Sequence, residues 1–498
     1  MSDRQLISQK TSSIIVVLLI FLSIGLAVVP TVSYDRPISQ YDGAYYYLIA
    51  KAWVQGGYDS SVNKNVNIVN NVSDYPPGLI AFYKVIFQYF DADLLVINGF
   101  FIAALFVLGN IFMYYAILTL TENRLISLLV LAYSVLNIRA YFMIFGGMQP
   151  TIAGISIGFA AFFFFCRWLK ERKKSDMILV IIINCIIAII HSATLLFILI
   201  LELSLFFGTI ADKKMKIKLP DIRIRFKKIS PSDLKGLLYV IIPVFVFILL
   251  MRFFITDLLS INVFLKEWIK TSLLTHDAGG YQSIWKVSFL MEGPIVYVLS
   301  MIGIVHILFK KDLKVFFLII GGFLFILSRH ILFPKPSWPI HFIYNFYPIW
   351  TILVALSAAY IFYWVLKDKN IRWIGMTILI VSLLIQIIKL GIFFSMLGPA
   401  ITTDEVSAIE YLKENLGDES ILFYNNIDEF GWRAFIWVPV LSEPKASLQT
   451  RDIDIFRDNI ADYDLLYIGD NTKLDKDENE LLSDKTKVYE KGHVTIYK

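Results

Sequence analysis

Long apolar stretches constrain this chain more than any other feature. Hydrophobic residues make up 57% of it and charged residues only 17%, against roughly 25% charged residues in soluble domains. A helix of about 20 apolar residues crosses the hydrocarbon of a membrane. Eleven stretches fit that length, at approximately 14–30, 94–120, 125–141, 151–169, 177–191, 192–210, 237–255, 289–309, 315–333, 342–366 and 373–398. The sequence therefore predicts a mainly α fold, a polytopic transmembrane helical bundle with about 11 spans.

Lysine and arginine show how these spans are oriented. They are densest in alternate segments, at 167–174, 213–235, 310–314 and 367–372, and sparse in the segments between. Cytoplasmic loops carry this excess. We therefore predict a multi-pass cell-membrane protein with a cytoplasmic N-terminus, and residues from 399 onward on the outer face. The basic residues lie in short loops between spans, so nucleic-acid binding is not expected.

Three further observations refine this picture. The first apolar run has no small-x-small cleavage pattern after it, so we interpret it as a retained span. The stretch 177–210 is too long for one span, and His191 near its middle predicts a hairpin turn. Cys166 and Cys185 both lie in apolar runs, which indicates buried thiols rather than a disulfide or a zinc site.

The last 100 residues differ from the rest in composition. Residues 399–498 contain 21 acidic and 11 basic residues. A helix is predicted at 404–416, with short buried strands at 421–424, 465–468 and 494–497. The chain thus divides into a transmembrane domain, 1–398, and a small C-terminal extracytoplasmic α/β domain, 399–498.

The long first outer loop, 31–93, contains the strongest candidates for chemistry. Long structured loops are often functional, and this one holds Asp35, Asp42 and Asp74 among six aspartates. Asp42 lies just after the first span, in the sequence Tyr-Asp-Gly-Ala-Tyr that ends at Tyr45. A tyrosine-rich helical pattern follows, as expected for a helix at the membrane interface. A carboxylate at this position suits a catalytic group at the membrane surface.

This arrangement resembles the GT-C glycosyltransferases, which are multi-span enzymes that use polyprenyl-phosphate-linked sugars. The match consists of Asp42 before the Tyr-rich helix, the Tyr-Pro-Pro segment after Asp74, the Gly-Gly-Met-Gln-Pro turn at 146–150, a late outer Arg-His segment and the C-terminal outer domain. The resemblance implies that Asp42 is the catalytic base and that Asp74 helps to place the acceptor. Tyr45, Asp35, Arg139 and His191 are further candidates.

The sequence departs from two GT-C subgroups. The Trp-Trp-Asp motif of oligosaccharyltransferase catalytic subunits is absent, and Gly431-Trp432-Arg433 is the nearest segment. This disfavours en bloc transfer of a glycan to asparagine. The Asp-Glu pair of protein O-mannosyltransferases and aminoarabinose transferases is Asp42-Gly43 here, so the acceptor is left open as a glycan, a lipid or a protein.

A lipid-phosphate leaving group needs cationic partners at the outer face. The segment 328–341 contains four candidate phosphate-binding residues, Arg329, His330, Lys335 and His341. Arg binds phosphate oxygens in a bidentate manner, and Lys and His add positive charge or hydrogen-bond donors. A phosphate leaving group does not strictly require a metal, so no cofactor is expected with certainty. A divalent metal is kept as the alternative. The expected partners are the lipid-linked sugar donor, the acceptor and membrane lipids.

Simpler interpretations stay open for these residues. Asp42 could cap the following helix, Asp74 could begin a turn, and Arg329 could reach the interface without a function. The Asp-x-Asp patterns at 91–93 and 452–454 are set aside, because nucleotide sugars are not found outside the membrane. As alternatives to a transferase, a transporter or flippase, or a polymerase or ligase, of lipid-linked saccharides also fits a multi-span chain.

Overall fold

The structure of the chain is a computed structural model, and most of the apolar region is described in it. The described residues are 6–33, 77–89, 94–145, 149–218, 223–226, 238, 241–247, 292–332, 337–395, 397–399, 401–415, 419–424, 438, 441–442, 446–450, 453–469, 472, 474 and 476–498.

Helices dominate the described residues up to 395. Twelve of them are described here, and their bounds are α1 Gln9–Val32, α2 Pro77–Tyr89, α3 Leu94–Thr121, α4 Arg124–Val135, α5 Ile138–Phe145, α6 Gln149–Glu171, α7 Lys174–Ile190, α8 Ser192–Lys214, α9 Pro294–Phe309, α10 Leu313–Leu332, α11 Ser337–Lys367 and α12 Arg372–Ser395. Local polar residues fix several starts. The Ser8 hydroxyl accepts a hydrogen bond from the Thr11 backbone amide, and the Asn123 side-chain oxygen accepts from the backbone amides of Leu125 and Ile126, so each side chain caps a helix.

Six helices of the described part are long and apolar enough to cross a membrane, and a seventh span results if α4 and α5 count together. These two helices meet at a 41° bend, so the segment predicted as one continuous span at 125–141 consists of two helices. The hairpin turn expected at His191 is present between α7 and α8. Helices also cover the predicted spans near 289–309 and 315–333. The count of eleven spans stays a prediction.

The helices differ in how much of each is buried, so some are central and others peripheral. The apolar windows of α6 and α11 are each 78% buried, whereas those of α1 and α12 are only 17% and 22% buried. Helix α12 exposes a broad set of large side chains, among them Trp373, Ile380, Leu384, Ile388 and Ile392. An apolar surface of this size is unfavourable in water and usually marks contact with a membrane or another protein. The peripheral helices are therefore suited to contact with lipid.

Small residues let the central helices approach closely. A Cβ atom built on Gly109 would lie 2.7 Å from the Ser156 Cα atom, which brings α3 against α6. Gly321 and Ser204 make the same kind of contact between α10 and α8, and Gly303 lies against the backbone of Ser357. Interfaces built from Gly and Ser are typical of membrane helix pairs, which pack without a hydrophobic driving force.

The interhelical turns gather at two ends of the bundle. At one, the Lys170 ammonium donates to Glu122 in the α3–α4 turn, and the Tyr360 hydroxyl donates to Asp312 in the α9–α10 turn, each at 2.6 Å. We call this the Lys310 end. The opposite end holds the bend after α4 and the α7–α8 turn, and we call it the Arg139 end. The Lys310 end collects the segments that the charge pattern assigns to the cytoplasm.

Residues 401–498 contain a second, mixed α/β unit. Its strands are β3 Ser420–Tyr424, β4 Ala446–Thr450, β5 Leu465–Ile468, β6 Lys487–Lys491 and β7 Val494–Tyr497, in the order β4-β3-β5-β7-β6. The strand β3 is parallel to β4 and β5, and β7 is antiparallel to β5 and β6. The helices are α13 Thr403–Asn415, α14 Ile453–Asn459 and α15 Lys476–Leu481. The predicted helix and three predicted strands coincide with α13, β3, β5 and β7 within a residue or two.

Both faces of this sheet are covered. Ile421 and Phe423 belong to the same apolar cluster as Ala408 of α13, while Leu422 and Tyr424 pack with Phe456 of α14. Because side chains alternate along a strand, the residues of β3 from Ile421 to Tyr424 are buried on both faces, as a short continuous apolar run predicts. A separate antiparallel hairpin, β1 Met215–Lys218 with β2 Arg223–Phe226, lies in the basic segment after α8.

Candidate functional site

Half of the ten residues predicted to carry the chemistry lie outside the described part. Asp35, Asp42, Tyr45 and Asp74 of the first loop, and Lys335, lie outside the described residues. Arg329 and His330 belong to the last turn of α10, and His341 belongs to the first turns of α11. The backbone therefore brings these three to the two helix ends that flank 333–336. Their roles stay predictions. Arg139 and His191 are fully described.

Helix α2 follows the Tyr-Pro-Pro segment directly and packs against the end of α7. A Cβ atom on Gly78 would lie 3.0 Å from the Ile189 carbonyl carbon, so the backbones approach too closely for a larger residue. The buried Tyr83 hydroxyl donates a 2.9 Å hydrogen bond to the Gln149 side chain at the start of α6. The Tyr-Pro-Pro segment and the Gly-Gly-Met-Gln-Pro turn, far apart in sequence, thus lead into helices that share a polar contact.

His191 forms the next part of the same polar group. Its Nδ1 atom lies 2.7 Å from the Thr194 hydroxyl, and its Nε2 atom lies 3.4 Å from the Thr151 hydroxyl. Gly154 makes room for the imidazole, because a Cβ atom there would lie 3.2 Å from the His191 Cβ atom. The His191 cluster, defined as Tyr83, Gln149, Thr151, His191 and Thr194, joins α2, α6 and the α7–α8 turn at the Arg139 end.

Arg139 and Glu292 form a buried ion pair at the same end. The Arg139 Nη1 atom lies 3.0 Å from Glu292 Oε1, and the two side chains are only 4% and 5% exposed. The Thr351 hydroxyl donates to the same carboxylate oxygen at 2.6 Å, and the Gln386 amide donates to the Glu292 carbonyl at 2.6 Å. Charged groups inside a membrane protein are costly and usually paired. This pair ties α5 to the segment before α9, and to α11 and α12.

A second cation lies beside this pair. A Cβ atom on Gly293 would be 3.6 Å from the Lys389 ammonium, so Lys389 lies next to the backbone that follows Glu292. Gly293 has a φ of +86°, a conformation that side chains disfavour. The Arg139 cluster is Arg139, Glu292, Thr351, Gln386 and Lys389. It brings two cations and one carboxylate together, and guanidinium and ammonium groups are the ones that bind phosphate oxygens in proteins.

Sequence reasoning identified Arg139 and missed Glu292. The signal was present, because Glu292 is an acid inside the predicted span 289–309. An acid at that depth requires a partner. Lys389, a cation near the outer end of the span 373–398, is the second residue that this reasoning would have linked to the site.

One more buried carboxylate lies within the helices. Glu202 of α8 is 2% exposed and accepts hydrogen bonds from the Asn184 side chain of α7 at 3.1 and 3.3 Å. Asn184 lies about two helical turns from His191, and Glu202 about three. Within the described ranges, no group of three or more His, Cys, Asp or Glu residues is placed to hold a metal ion.

Comparison with known proteins places the chain in one family. It belongs to the family described as "Family of unknown function (DUF6541)", whose model matches residues 2–332. A comparison with curated proteins finds no match. The family assignment therefore gives no activity.

Solved structures share the fold at low sequence identity. The Archaeoglobus fulgidus oligosaccharyltransferase, in a complex with zinc and sulfate, has a TM-score of 0.57 and 12% identity over 91% of this chain and 67% of its own. The oligosaccharyltransferase AglB from the same organism, in complex with an inhibitory peptide and a dolichol-phosphate, has a TM-score of 0.55 and 11% identity over 88% of this chain and 64% of its own. This chain thus spans about two thirds of those chains.

ArnT from Cupriavidus metallidurans, in the apo state, matches along nearly its whole length. Its TM-score is 0.53 at 11% identity, with 98% of both chains covered. The similarity therefore includes the helical bundle and extends to the C-terminal residues. At these identities it establishes a shared fold.

Proposed function

We propose that this protein is a membrane glycosyltransferase of GT-C type that moves a sugar from a polyprenyl-phosphate-linked donor to an acceptor at the outer membrane face. The observation that carries the proposal is the fold, which is shared over 98% of both chains with ArnT and over 88–91% of this chain with the archaeal oligosaccharyltransferases. All three are GT-C glycosyltransferases. The sequence motifs add support, because they follow the order expected for that class.

The proposed chemistry assigns the first loop to the acceptor. Asp42 takes the proton from the acceptor hydroxyl, and the resulting oxygen attacks the anomeric carbon of the sugar. The bond from that carbon to the phosphate oxygen breaks, and its electron pair leaves with the lipid phosphate. Asp74 helps to hold the acceptor in line for this attack.

The leaving phosphate is assigned to cations at the Arg139 end. Arg329, with His330, holds it, and Lys335 and His341 supply further donors from the same segment. The Arg139 cluster supports this assignment, because it brings a guanidinium and an ammonium group together at this end of the bundle. A low-dielectric site of this kind strengthens the attraction to a developing anion. A dolichol-phosphate is bound in the AglB complex, and a lipid phosphate is the corresponding ligand that we propose here.

A transporter or flippase of lipid-linked saccharides is the second candidate. Glu202 and Asn184 favour it, because a buried carboxylate within the helices is typical of transport pathways. The shared fold supports the transferase more strongly, since it extends over most of the chain and the solved structures are all transferases.

Transfer of radiolabelled sugar from a panel of polyprenyl-phosphate donors tests the proposal. The purified protein is reconstituted in liposomes, and wild type is compared with Asp42→Asn and with the control Asp59→Asn from the same loop. We expect transfer by wild type and by the control, and a loss of about 100-fold or more in Asp42→Asn, as for removal of a general base.

Two results would change the conclusion. Full transfer by Asp42→Asn, in protein that elutes as wild type does, would remove Asp42 from the mechanism. Movement of a fluorescent lipid-linked saccharide across the liposome membrane, with no sugar transfer from any donor, would favour the flippase.

A further inference from the structure

His191 joins α7 and α8 through its backbone and its side chain. Its amide N–H donates to the Ile187 carbonyl in the last turn of α7 at 2.7 Å, and its carbonyl accepts from the Leu195 amide in the first turn of α8 at 3.2 Å. Its Nδ1 atom accepts from the Thr194 amide at 3.3 Å. A side-chain atom that binds an amide of the first turn is the mark of a helix N-cap. His191 therefore caps α8.

The cap determines which nitrogen of the ring carries the proton. A backbone amide can only donate, so Nδ1 is an unprotonated acceptor, and the Thr194 hydroxyl 2.7 Å away can donate to it as well. A neutral imidazole with an unprotonated Nδ1 carries its proton on Nε2. The Nε2 atom is thus an N–H donor, and it lies 3.4 Å from the Thr151 hydroxyl of α6.

The first turn of α6 leads from His191 to the candidate acceptor segment. Thr151 lies two residues after Gln149, whose side chain accepts the Tyr83 hydroxyl of α2 at 2.9 Å. Helix α2 begins at Pro77, three residues after Asp74 in the sequence. A hydrogen-bonded path therefore runs from the imidazole to α6 and from α6 to the helix that follows Asp74.

Close packing at the same turn makes this path stiff. A Cβ atom on Gly154 of α6 would lie 3.2 Å from the Cβ atoms of both His191 and Thr194, so α6 approaches the turn with little room for a side chain. Gly78 of α2 packs equally closely on Ile189, two residues before His191. Closely packed elements pass a displacement on to their neighbours. The position of α2 and α6 thus depends on the α7–α8 turn.

We infer that His191 is a positioning residue for the acceptor. As a neutral imidazole, it holds the first turn of α6 through its Nε2–H group, and through α6 and α2 it fixes the segment that contains Asp74. The inference rests on the proposed function, in which Asp74 helps to hold the acceptor. A cap without this second role would make His191 a structural residue only.

Two substitutions separate the second role from the cap. Asparagine carries its amide at the level of the imidazole Nδ1 atom and is a favourable N-cap residue, so His191→Asn keeps the cap and loses the reach to Thr151. Glutamine carries its amide one bond further out, at the level of Nε2, so His191→Gln keeps the reach and loses the cap. His306→Asn is the control, since His306 belongs to α9 and lies close to the Lys310 end.

Sugar transfer and thermal unfolding of the full-length protein in liposomes test the inference together. The donor is the radiolabelled polyprenyl-phosphate sugar that wild type uses in the assay above. We expect His191→Asn to keep the thermal midpoint of wild type and to lose about tenfold or more in kcat at an unchanged KM for the donor, as for a misplaced acceptor. His191→Gln should unfold at a lower temperature and keep most of its transfer. The control should keep its transfer.

Solid-state NMR of the protein with isotope-labelled histidine measures the position of the proton. The ring nitrogens of His191 are assigned by their absence from the spectrum of His191→Asn. We expect an unprotonated Nδ1 atom and a protonated Nε2 atom. A proton on Nδ1 would refute the inference, because Nε2 would then have no hydrogen to donate towards α6.

The transfer assay distinguishes failure of this inference from failure of the proposed function. Equal transfer by wild type and His191→Asn would show that His191 is a cap only, and so would a larger loss in His191→Gln than in His191→Asn. A thermal midpoint of His191→Asn that falls along with its transfer, or an equal loss in His306→Asn, would also refute the positioning role. No transfer by wild type from any donor would instead refute the proposed function, and the positioning role with it.

Discussion

The guanidinium of Arg139 and the carboxylate of Glu292 form a buried ion pair across the bundle, with 3.0 Å between nitrogen and oxygen. Arg139 lies just after the 41° bend between α4 and α5, and Glu292 lies just before α9. The pair thus fixes a bent, irregular part of the bundle to α11 through Thr351 and to α12 through Gln386. A charge left alone in this position would have no solvent to stabilise it.

Removal of either partner of this pair should destabilise the protein strongly. Arg139→Leu and Glu292→Leu should each lower the free energy of unfolding by about 3–5 kcal/mol, because each removes the ion-pair partner of a buried charge. The double variant should cost less than the sum of the two single variants. Denaturation of the purified proteins in one detergent measures all three.

An exposed ion pair provides the matched control. Lys170 and Glu122 are 51% and 69% exposed, so Lys170→Gln should cost at most about 1 kcal/mol. If Glu292→Leu costs no more than Lys170→Gln, the Arg139 pair does not hold the helices together.

The buried Glu202 should tolerate loss of its charge better than loss of its partner. Glu202→Gln keeps a polar group for Asn184 and should change stability little. Asn184→Leu removes the hydrogen bonds at 3.1 and 3.3 Å and should cost about 1–3 kcal/mol, since the carboxyl group then has no donor. Thermal unfolding in detergent compares the two. A larger loss from Glu202→Gln than from Asn184→Leu would contradict this account and would indicate that the ionised carboxylate is required.

Much of the fold could be predicted from the sequence because its signals are local. Apolar length locates the helices, and the break near His191 separates α7 from α8. The three predicted tail strands were found because β3, β5 and β7 are short apolar runs. Strand β4, Ala446–Thr450, has a polar and mixed sequence, and it is a strand because β3 pairs with it. Pairing of this kind is tertiary and leaves no pattern in the strand itself.

The candidate site was less predictable for the same reason. Arg139 could be found as a cation beside a Gly-Gly turn, but its contact with Glu292 depends on how α5 packs against distant helices. The bend between α4 and α5 was also missed, since the residues from 125 to 141 contain no proline or glycine. The roles predicted for Asp42, Asp74 and Arg329 stay predictions.

Replacing Lys311 with glycine should stabilise the protein. Lys311 lies two residues after the end of α9 and has a φ of +61°. This is the left-handed conformation that glycine usually adopts just after a helix. The left-handed conformation costs a residue with a side chain about 1–2 kcal/mol. Glycine avoids this cost, but its greater flexibility in the unfolded chain offsets part of the gain. Lys311→Gly should therefore raise the free energy of unfolding by about 0.5–1 kcal/mol. Lys311→Ala keeps the strain and serves as the control. Equal thermal midpoints for the glycine and alanine variants would show that the backbone there carries no strain.

Gly492, in the turn between β6 and β7, should be intolerant of any side chain. Its φ is +56°, and a Cβ atom there would meet the carboxylate of Asp404 at the start of α13. Gly492→Ala should therefore cost about 1–2 kcal/mol from the backbone conformation, and more from the clash. Because β6 and β7 also pack against α13, the damage should extend beyond the hairpin. Limited proteolysis of the full-length protein should then cut the C-terminal residues faster than in wild type. Gly398→Ala is the control, since no atom lies within 4 Å of a Cβ atom there, and equal cleavage of the two variants would refute the constraint at Gly492.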